Sequence, residues 1–391
     1  MSSAAATASD PIDAARALVP RLRALSPRIE RERRLPLDVV AELAATGLFA
    51  LCIPRSLQGE EASPITLIRV IEELAVGDAA AAWCVMIGAT SGLVAGWLDK
   101  TAAHEIFARA PEAVAGGVFA PAGRAVAVSG GYRVTGRWAF ASGCQHCAWL
   151  MGGCAVEDNG VSRSRERGIP DSRMMIFPAA EAHVHDTWRV VGLCGTGSHD
   201  IEVHDLFVPE ERSVSLLSDR PRETGPLYHF PVFGLLAIGV SAVALGLARA
   251  AIDEFALLAA SKRPTGSARI LAERPAVQVD VARAEVGISA ARSYLLEIVE
   301  AAYECARQRA EVPLALRARI RLAATHATLN AAKAVDQMYQ AAGSTAIYDM
   351  SPLQRYFRDV HVVTQHMAVA PATLELAGRI LLGLDTDTSM L

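Results

Sequence analysis

Apolar residues recur at helical spacing from about residue 10 to 110 and again from about 228 to the end, and alternate in short runs between those blocks. In the first block, Asp10-Pro11 predicts a helix start, an aspartate cap followed by a proline in the first turn. Leu35-Pro36-Leu37 leads into a further amphipathic stretch. Trp83 to Trp97 predicts an apolar helix with Gly88, Gly92 and Gly96 on one face. Another backbone or a flat ligand can approach such a face closely, and close helix packing is the preferred reading. The middle block predicts short strands at Gly131 to Phe140, Met174 to Phe177 and Ile201 to Val208, the last ending at Pro209. Val161 to Arg173 is charged and without apolar period, which predicts an exposed loop. In the last block Glu273 to Arg309, Leu314 to Ala342 and Pro352 to Leu384 are helical, and Pro371 predicts that one helix ends near Ala370. About four long helices make a bundle. The expected division is a helical domain over 1–112, a β domain over 113–222 and a helical bundle over 223–391.

Composition narrows the function classes. Of 391 residues, 52% are hydrophobic and 20% charged, which suits a large core. The net charge of -4 offers no basic excess for nucleic acid. The basic run Arg21 to Arg34 also carries Glu30 and Glu32, so it predicts a solvated helix face. Seven cysteines without a disulfide-like spacing predict reduced thiols and a cytoplasmic setting. The first residues lack a basic start followed by an apolar stretch, so no secretory signal is expected. Phe230 to Ala248 is uncharged and apolar, but its proline, glycines and alanines, with no second such span, predict a buried soluble helix and no membrane partner.

Several motifs carry weak chemistry. Cys144-Gln-His-Cys147 is a lone CxxC without a second pair, and it follows a strand instead of opening a helix, so neither zinc nor redox function is expected. His183 and His185 share a strand face without a third ligand at a fixed offset, and no metal is expected. Gly192-Leu-Cys-Gly195-Thr-Gly197 has the wrong glycine order for a dinucleotide fingerprint and precedes a β run. Its backbone N–H groups, with Thr196 and Ser198, could still meet a phosphate or a flavin edge. Neither GxSxG nor a P-loop occurs.

The order helical, β, helical, with Gly47 to Pro54 and Gly59, Gly192 to Pro209, Gln340-Ala-Ala-Gly343 and Arg355-Tyr-Phe-Arg358-Asp359, resembles the acyl-CoA dehydrogenase superfamily over nearly the whole chain. The departures are informative. The family's threonine-glutamate-proline motif reads Phe119-Ala120-Pro121, and one usual glutamate position reads Thr364-Gln365-His366-Met367. The alternative position, on Leu235 to Ala251, has no acid before Asp253 and Glu254. Abstracting a proton beside a thioester needs a base held over that carbon. With Gly130-Gly131-Tyr132, Gly136-Arg137-Trp138, Phe140-Ala-Ser142-Gly143-Cys144, Gly195-Thr-Gly-Ser-His199 and Ser351-Pro-Leu-Gln-Arg355, the chain resembles the oxygenase components of two-component flavin monooxygenases.

That resemblance implies an α+β, mainly α fold: an N-terminal helical domain, a central β-barrel-like domain and a C-terminal four-helix bundle. It implies reduced FMN or FAD delivered by a separate flavin reductase, O2, and hydroxylation of a small aromatic substrate through a C4a-hydroperoxyflavin in a dry pocket. It implies that Ser142 holds the flavin N5, that His366 stands beside flavin and substrate, and that Phe119 and Phe140 pack near the isoalloxazine. His366 could take a phenol proton or stabilise a departing alkoxide. His361, about 140° away on an ideal helix, should face elsewhere. Thr196 and Ser198 would line the pocket, with Trp83, Met86 and Thr90 as the substrate wall. Lys262 or Arg263, and Gln340, would reach the flavin of a neighbouring subunit in a homotetramer. Two other readings stay open: an FAD-dependent acyl-CoA dehydrogenase with a displaced base, which an acyl-CoA would bleach, and a non-catalytic ligand-binding or assembly protein without flavin affinity.

Overall fold

A computed structural model of the chain describes residues 10–108, 114–158, 161–163 and 171–391. Five helices come first: α1 (Pro11–Glu32), α2 (Leu37–Ala45), α3 (Pro64–Gly77), α4 (Ala79–Gly92) and α5 (Lys100–Phe107). Asp10 caps α1 by accepting from the Ile12 N–H, and Asp78 caps α4 by accepting from the Ala81 N–H. Eight strands follow among the described residues: β1 (Ala115–Val128), β2 (Gly131–Ala141), β3 (Trp149–Asp158), β4 (Val161–Ser162), β5 (Ser172–Pro178), β6 (His183–His185), β7 (His199–Pro209) and β8 (Ser213–Val214). The chain then returns to helix in α6 (Val232–Ala259), α7 (Pro275–Arg307), α8 (Leu314–Ala342), α9 (Pro352–Thr364) and α10 (Ala372–Leu381).

The strands form one mixed sheet in the order β6-β7-β2-β1-β3-β5-β8, with β4 on β3. Only the β1–β3 pair is parallel among the described pairs. The sheet has its own core around Trp138, whose indole N–H donates to the Gly153 carbonyl at 2.7 Å. A Cβ on Gly123, Gly136 or Gly152 would come within 2.3–2.7 Å of that ring or its neighbouring backbone, so three strands carry glycine to admit one tryptophan.

The second core is helical, and α6 runs through it. Ala79–Gly96 and Val232–Ala259 are both long and apolar enough to cross a membrane, so the expected single span has a companion. Each is 89% buried against the rest of the chain, as core helices are. Gly239 and Gly246 let α6 press against Met86 of α4 and Glu72 of α3. The three-glycine face of the Trp83 helix is filled by Phe49, Ile53 and Tyr228, which settles it as a packing face.

Some local expectations shift. Of the charged stretch read as a loop, 161–162 and 172–173 are strand, and 164–170 lie outside the described residues. The boundary expected at 112 also lies outside them. α9 ends at Thr364, six residues before the position expected from Pro371, because a turn in which Val369 N–H bonds to the His366 carbonyl intervenes. His366 therefore sits beyond a helix end, on that turn.

Candidate active site

The site begins where β2 leaves the sheet. Its pairing with β7 is interrupted between Trp138 and Ala141, and Phe140 takes φ +66° there. That conformation is strained for a bulky side chain. The Ser142 N–H closes back on the Phe140 carbonyl at 2.9 Å, and the Gly143 N–H reaches the Thr196 carbonyl at 2.8 Å. The turn throws Phe140 outward, 70% exposed and edge-on to Trp188, and turns Ser142 inward.

Buried Ser142 meets a line of polar groups from three elements. The Trp83 indole N–H, on α4, donates to Ser142 Oγ at 3.0 Å. Ser142 Oγ lies 2.7 Å from Ser198 Oγ, which lies 2.7 Å from Thr196 Oγ1, and Thr196 Oγ1 donates to the Leu193 carbonyl at 2.9 Å. Counting protons gives one consistent direction when Thr196 donates to the Leu193 carbonyl. An indole only donates, a carbonyl only accepts, and each hydroxyl has one proton. Thr196 spends its proton on Leu193, so it accepts from Ser198; Ser198 in turn accepts from Ser142. Ser142 is left with a spare lone pair and no spare proton.

The opposite wall carries His366. Its ring stands edge-on to Trp83 with centroids 5.5 Å apart, and Nδ1 accepts from the Ala368 N–H at 3.2 Å. Burial, and then the Arg321 charge, hold the imidazole down at about 4. Neutral, with Nδ1 accepting, it carries its proton on Nε2. Its Nε2–H is then a hydrogen-bond donor at this wall. His361 faces elsewhere, against Asp336 at 2.9 Å and Phe357.

Buried polar groups hold this frame. The Leu193 N–H donates to Asp359 Oδ1 at 2.6 Å, which ties the Leu193–Ser198 turn to α9. Arg358 reaches the Val191 carbonyl and pairs with Glu30 at 2.6 Å. Burial raises the Asp359 carboxyl to about 7. The folded chain thus keeps a proton that the unfolded chain releases near pH ~4. The resulting stability is fully present below that pH and is lost as pH rises through about 7. Asp359→Ala is expected to cost about 1–3 kcal/mol, because it orphans a buried N–H. Asp359→Asn keeps the acceptor and should lose the pH dependence; thermal melts from pH 5 to 8 check both, and equal melts for the two variants would contradict the assignment.

The cysteines near the turn are structural. Cys84 and Cys144 thiols donate to the Thr196 and Gly197 carbonyls at 3.8 and 3.6 Å. Burial pushes Cys144 up to about 11 and Cys147 higher still, so neither is a thiolate. His183 and His185 touch each other, and His185 pairs with Glu202 at 2.6 Å. Among the described residues no three metal-binding side chains come together.

The other expected site residues fall into two groups. Met86 of α4 packs against Gly239 of α6, and Phe119 of β1 stands edge-on to Phe233 of α6. Thr90 spends its hydroxyl on the Met86 carbonyl. Lys262 instead donates to the Ala342 carbonyl at the end of α8, near exposed Gln340. Arg263 bonds the Ala268 carbonyl within its own loop. Asp253 is exposed and paired with Arg249 at 2.9 Å, so it supplies no base. Sequence reasoning missed Trp188 and Arg321. Trp188 gives no local signal, and Arg321 looks like one more charge on a basic helix.

The profile described as "Acyl-CoA dehydrogenase, N-terminal domain" matches residues 12–117, and "Acyl-CoA dehydrogenase, C-terminal domain" matches 238–371. The chain is 33% identical over 93% of its length to an indole-3-acetate monooxygenase of Pseudomonas putida, of which it covers 91%. It is 30% identical to a flavin-dependent monooxygenase oxygenase subunit, HsaA, of Rhodococcus jostii, covering 91% of this chain and 93% of that protein. The solved structure of XiaF from Streptomyces in complex with FADH2 and glycerol superposes with TM-score 0.89 at 28% identity over 96% of both chains. The chain belongs to the acyl-CoA dehydrogenase family. Within it, the relatives place this enzyme with the flavin-dependent monooxygenases.

Proposed function

We propose that this protein is the oxygenase component of a two-component system, taking reduced FMN or FAD from a separate flavin reductase and hydroxylating a small aromatic substrate with O2. The observation that carries this is the directed hydroxyl line ending in a proton-free lone pair on Ser142. A reduced flavin carries hydrogen on N5 and an oxidised flavin does not, so the site matches the reduced form. Reduced flavin, when bound, supplies the two electrons with which O2 gives one oxygen atom to substrate and one to water. Ser142 Oγ would accept from the N5 hydrogen of a bound reduced flavin and hold it in place. Phe140 and Trp188 form an apolar edge for the ring system, and Phe119 and Met86 help exclude water. The Nε2–H of neutral His366 would donate a hydrogen bond into the site, toward the reacting oxygen of a bound substrate.

Lys262 and Gln340, remote in sequence but near one another at the end of α8, suit contact with a neighbouring subunit's flavin in a homotetramer. Light scattering should then give four times the 41.5 kDa chain mass, and a monomeric mass would remove that role. The setting is cytoplasmic, where reductase and reduced thiols coexist. The test of the activity is to supply chemically or enzymatically reduced flavin under 18O2 with aromatic candidates. One labelled oxygen in the product is expected. Bleaching of bound FAD by an acyl-CoA, with no label in any aromatic product, would restore the dehydrogenase reading.

A further inference from the structure

Leu193 is held in an unusual backbone conformation. Its φ of 51° and ψ of 32° are left-handed, a region that favours glycine and strains a leucine. Such a residue persists only where its surroundings over-determine it. Here α9 does so at three points. The Arg358 guanidinium donates to the Val191 carbonyl, and a Cβ on Gly192 would come within 2.4 Å of the Arg358 carbonyl oxygen. Buried Asp359 accepts from the Leu193 N–H through Oδ1 at 2.6 Å. The carbonyl of the same leucine accepts from the Thr196 hydroxyl at 2.9 Å, from the Thr196 N–H at 3.1 Å and from the Trp188 indole N–H at 3.1 Å.

Leu193 thus has its N–H fixed by α9, while its carbonyl ends the hydroxyl line and orients the indole that meets Phe140. We propose that Asp359 is a positioning residue for the flavin site, holding Leu193 left-handed so that its carbonyl takes the Thr196 proton and leaves Ser142 as an acceptor. Asp359 meets no reacting atom and acts through Leu193. The proposal rests on the reading above that Ser142 meets the flavin N5. Its consequence is a matter of direction. With the Leu193 carbonyl turned away, Thr196 donates to Ser198 and Ser198 to Ser142, and the Ser142 hydroxyl is free to donate. A donating hydroxyl suits the bare N5 of oxidised flavin, and an accepting one suits N5–H. Removing Asp359 therefore changes which flavin the site prefers, which a residue that only supports the fold would not do.

The experiment takes two readouts from the flavin-free protein: hydrogen exchange of the peptide over 190–198, and titration with oxidised FMN and FAD. Asp359→Ala should speed exchange of the Leu193 amide by roughly tenfold or more while β3 keeps its protection, and Asp359→Asn, which retains the oxygen, should match the wild type. Asp359→Ala should also bind oxidised flavin roughly fivefold more tightly than the wild type, in the same direction as Ser198→Ala, and Asp359→Asn should not. If Ser198→Ala tightens binding and Asp359→Ala leaves it unchanged or weaker, the proposal is overturned. An Asp359→Asn that behaves like the alanine variant overturns it too. If Ser198→Ala does not tighten binding either, the placing of Ser142 at N5 has failed, and exchange alone decides the role of Asp359. Loosening confined to 190–198 then upholds the hold on Leu193, and loosening spread through the helical core overturns it. Should Asp359→Ala not fold, the wild type decides, since a Leu193 amide that exchanges freely there overturns the proposal and a protected one upholds it. None of these readouts involves turnover, so the 18O2 label decides the monooxygenase reading separately.

Discussion

Ser142→Ala is expected to lower hydroxylated product per reduced flavin consumed by roughly tenfold, with hydrogen peroxide making up the balance, because one hydrogen bond of about 1.4 kcal/mol is lost where no other group replaces it. The argument is one of donors and acceptors. In the wild type every proton in the line Trp83–Ser142–Ser198–Thr196–Leu193 is committed. Alanine removes the acceptor and leaves the Trp83 N–H, and Ser198 as acceptor, without their partner. Ser198→Ala acts at one remove: it frees the Ser142 proton, so the Ser142 hydroxyl can turn and donate. That variant should tighten oxidised-flavin binding while Ser142→Ala does not. Product and peroxide yields per flavin, measured side by side, check the first claim, and unchanged coupling in Ser142→Ala would count against it.

His366→Ala should lower product formation by roughly tenfold, the worth of one lost hydrogen bond of about 1.4 kcal/mol. Flavin affinity should change little. His366→Gln, which retains an N–H donor, should recover part of the rate. The pH dependence separates a donor from a base. With its folded value held at about 4 against ~6.5 unfolded, His366 stays neutral across the working range. It contributes stability above pH ~6.5 that is lost as pH falls through about 4. The pH–rate profile should therefore show no limb near 6.5 that His366→Gln removes; finding such a limb would mean that the imidazole titrates in the pocket and acts as the base.

Much of the fold was legible because its signals are local. Asp10-Pro11 begins α1, and the spacing of apolar residues over Leu314 to Ala342 matches α8 to the residue. The strands β1 and β3 were not, since their glycines are there to admit Trp138 from the neighbouring strand, and a sequence window sees glycines without seeing the ring. The end of α9 was misplaced because a turn, and not Pro371, stops it. Ser142, Ser198, Thr196, Trp83 and His366 were each singled out one at a time by motif, yet their convergence comes from three separate elements and a bulge. Arg321 carries no pattern at all: in sequence it is one more charge on a helix, and only packing shows that it is buried without an ion pair among the described residues.

The most direct test is an anaerobic titration of the flavin-free protein with reduced and with oxidised flavin, followed by fluorescence quenching, in the wild type and in Ser142→Ala. A lone pair without a proton should favour the reduced form by about tenfold or more in the wild type, and Ser142→Ala should erase most of that preference. Equal affinity of the wild type for the two redox forms, or a preference that survives Ser142→Ala intact, would contradict the account of how this site selects its flavin.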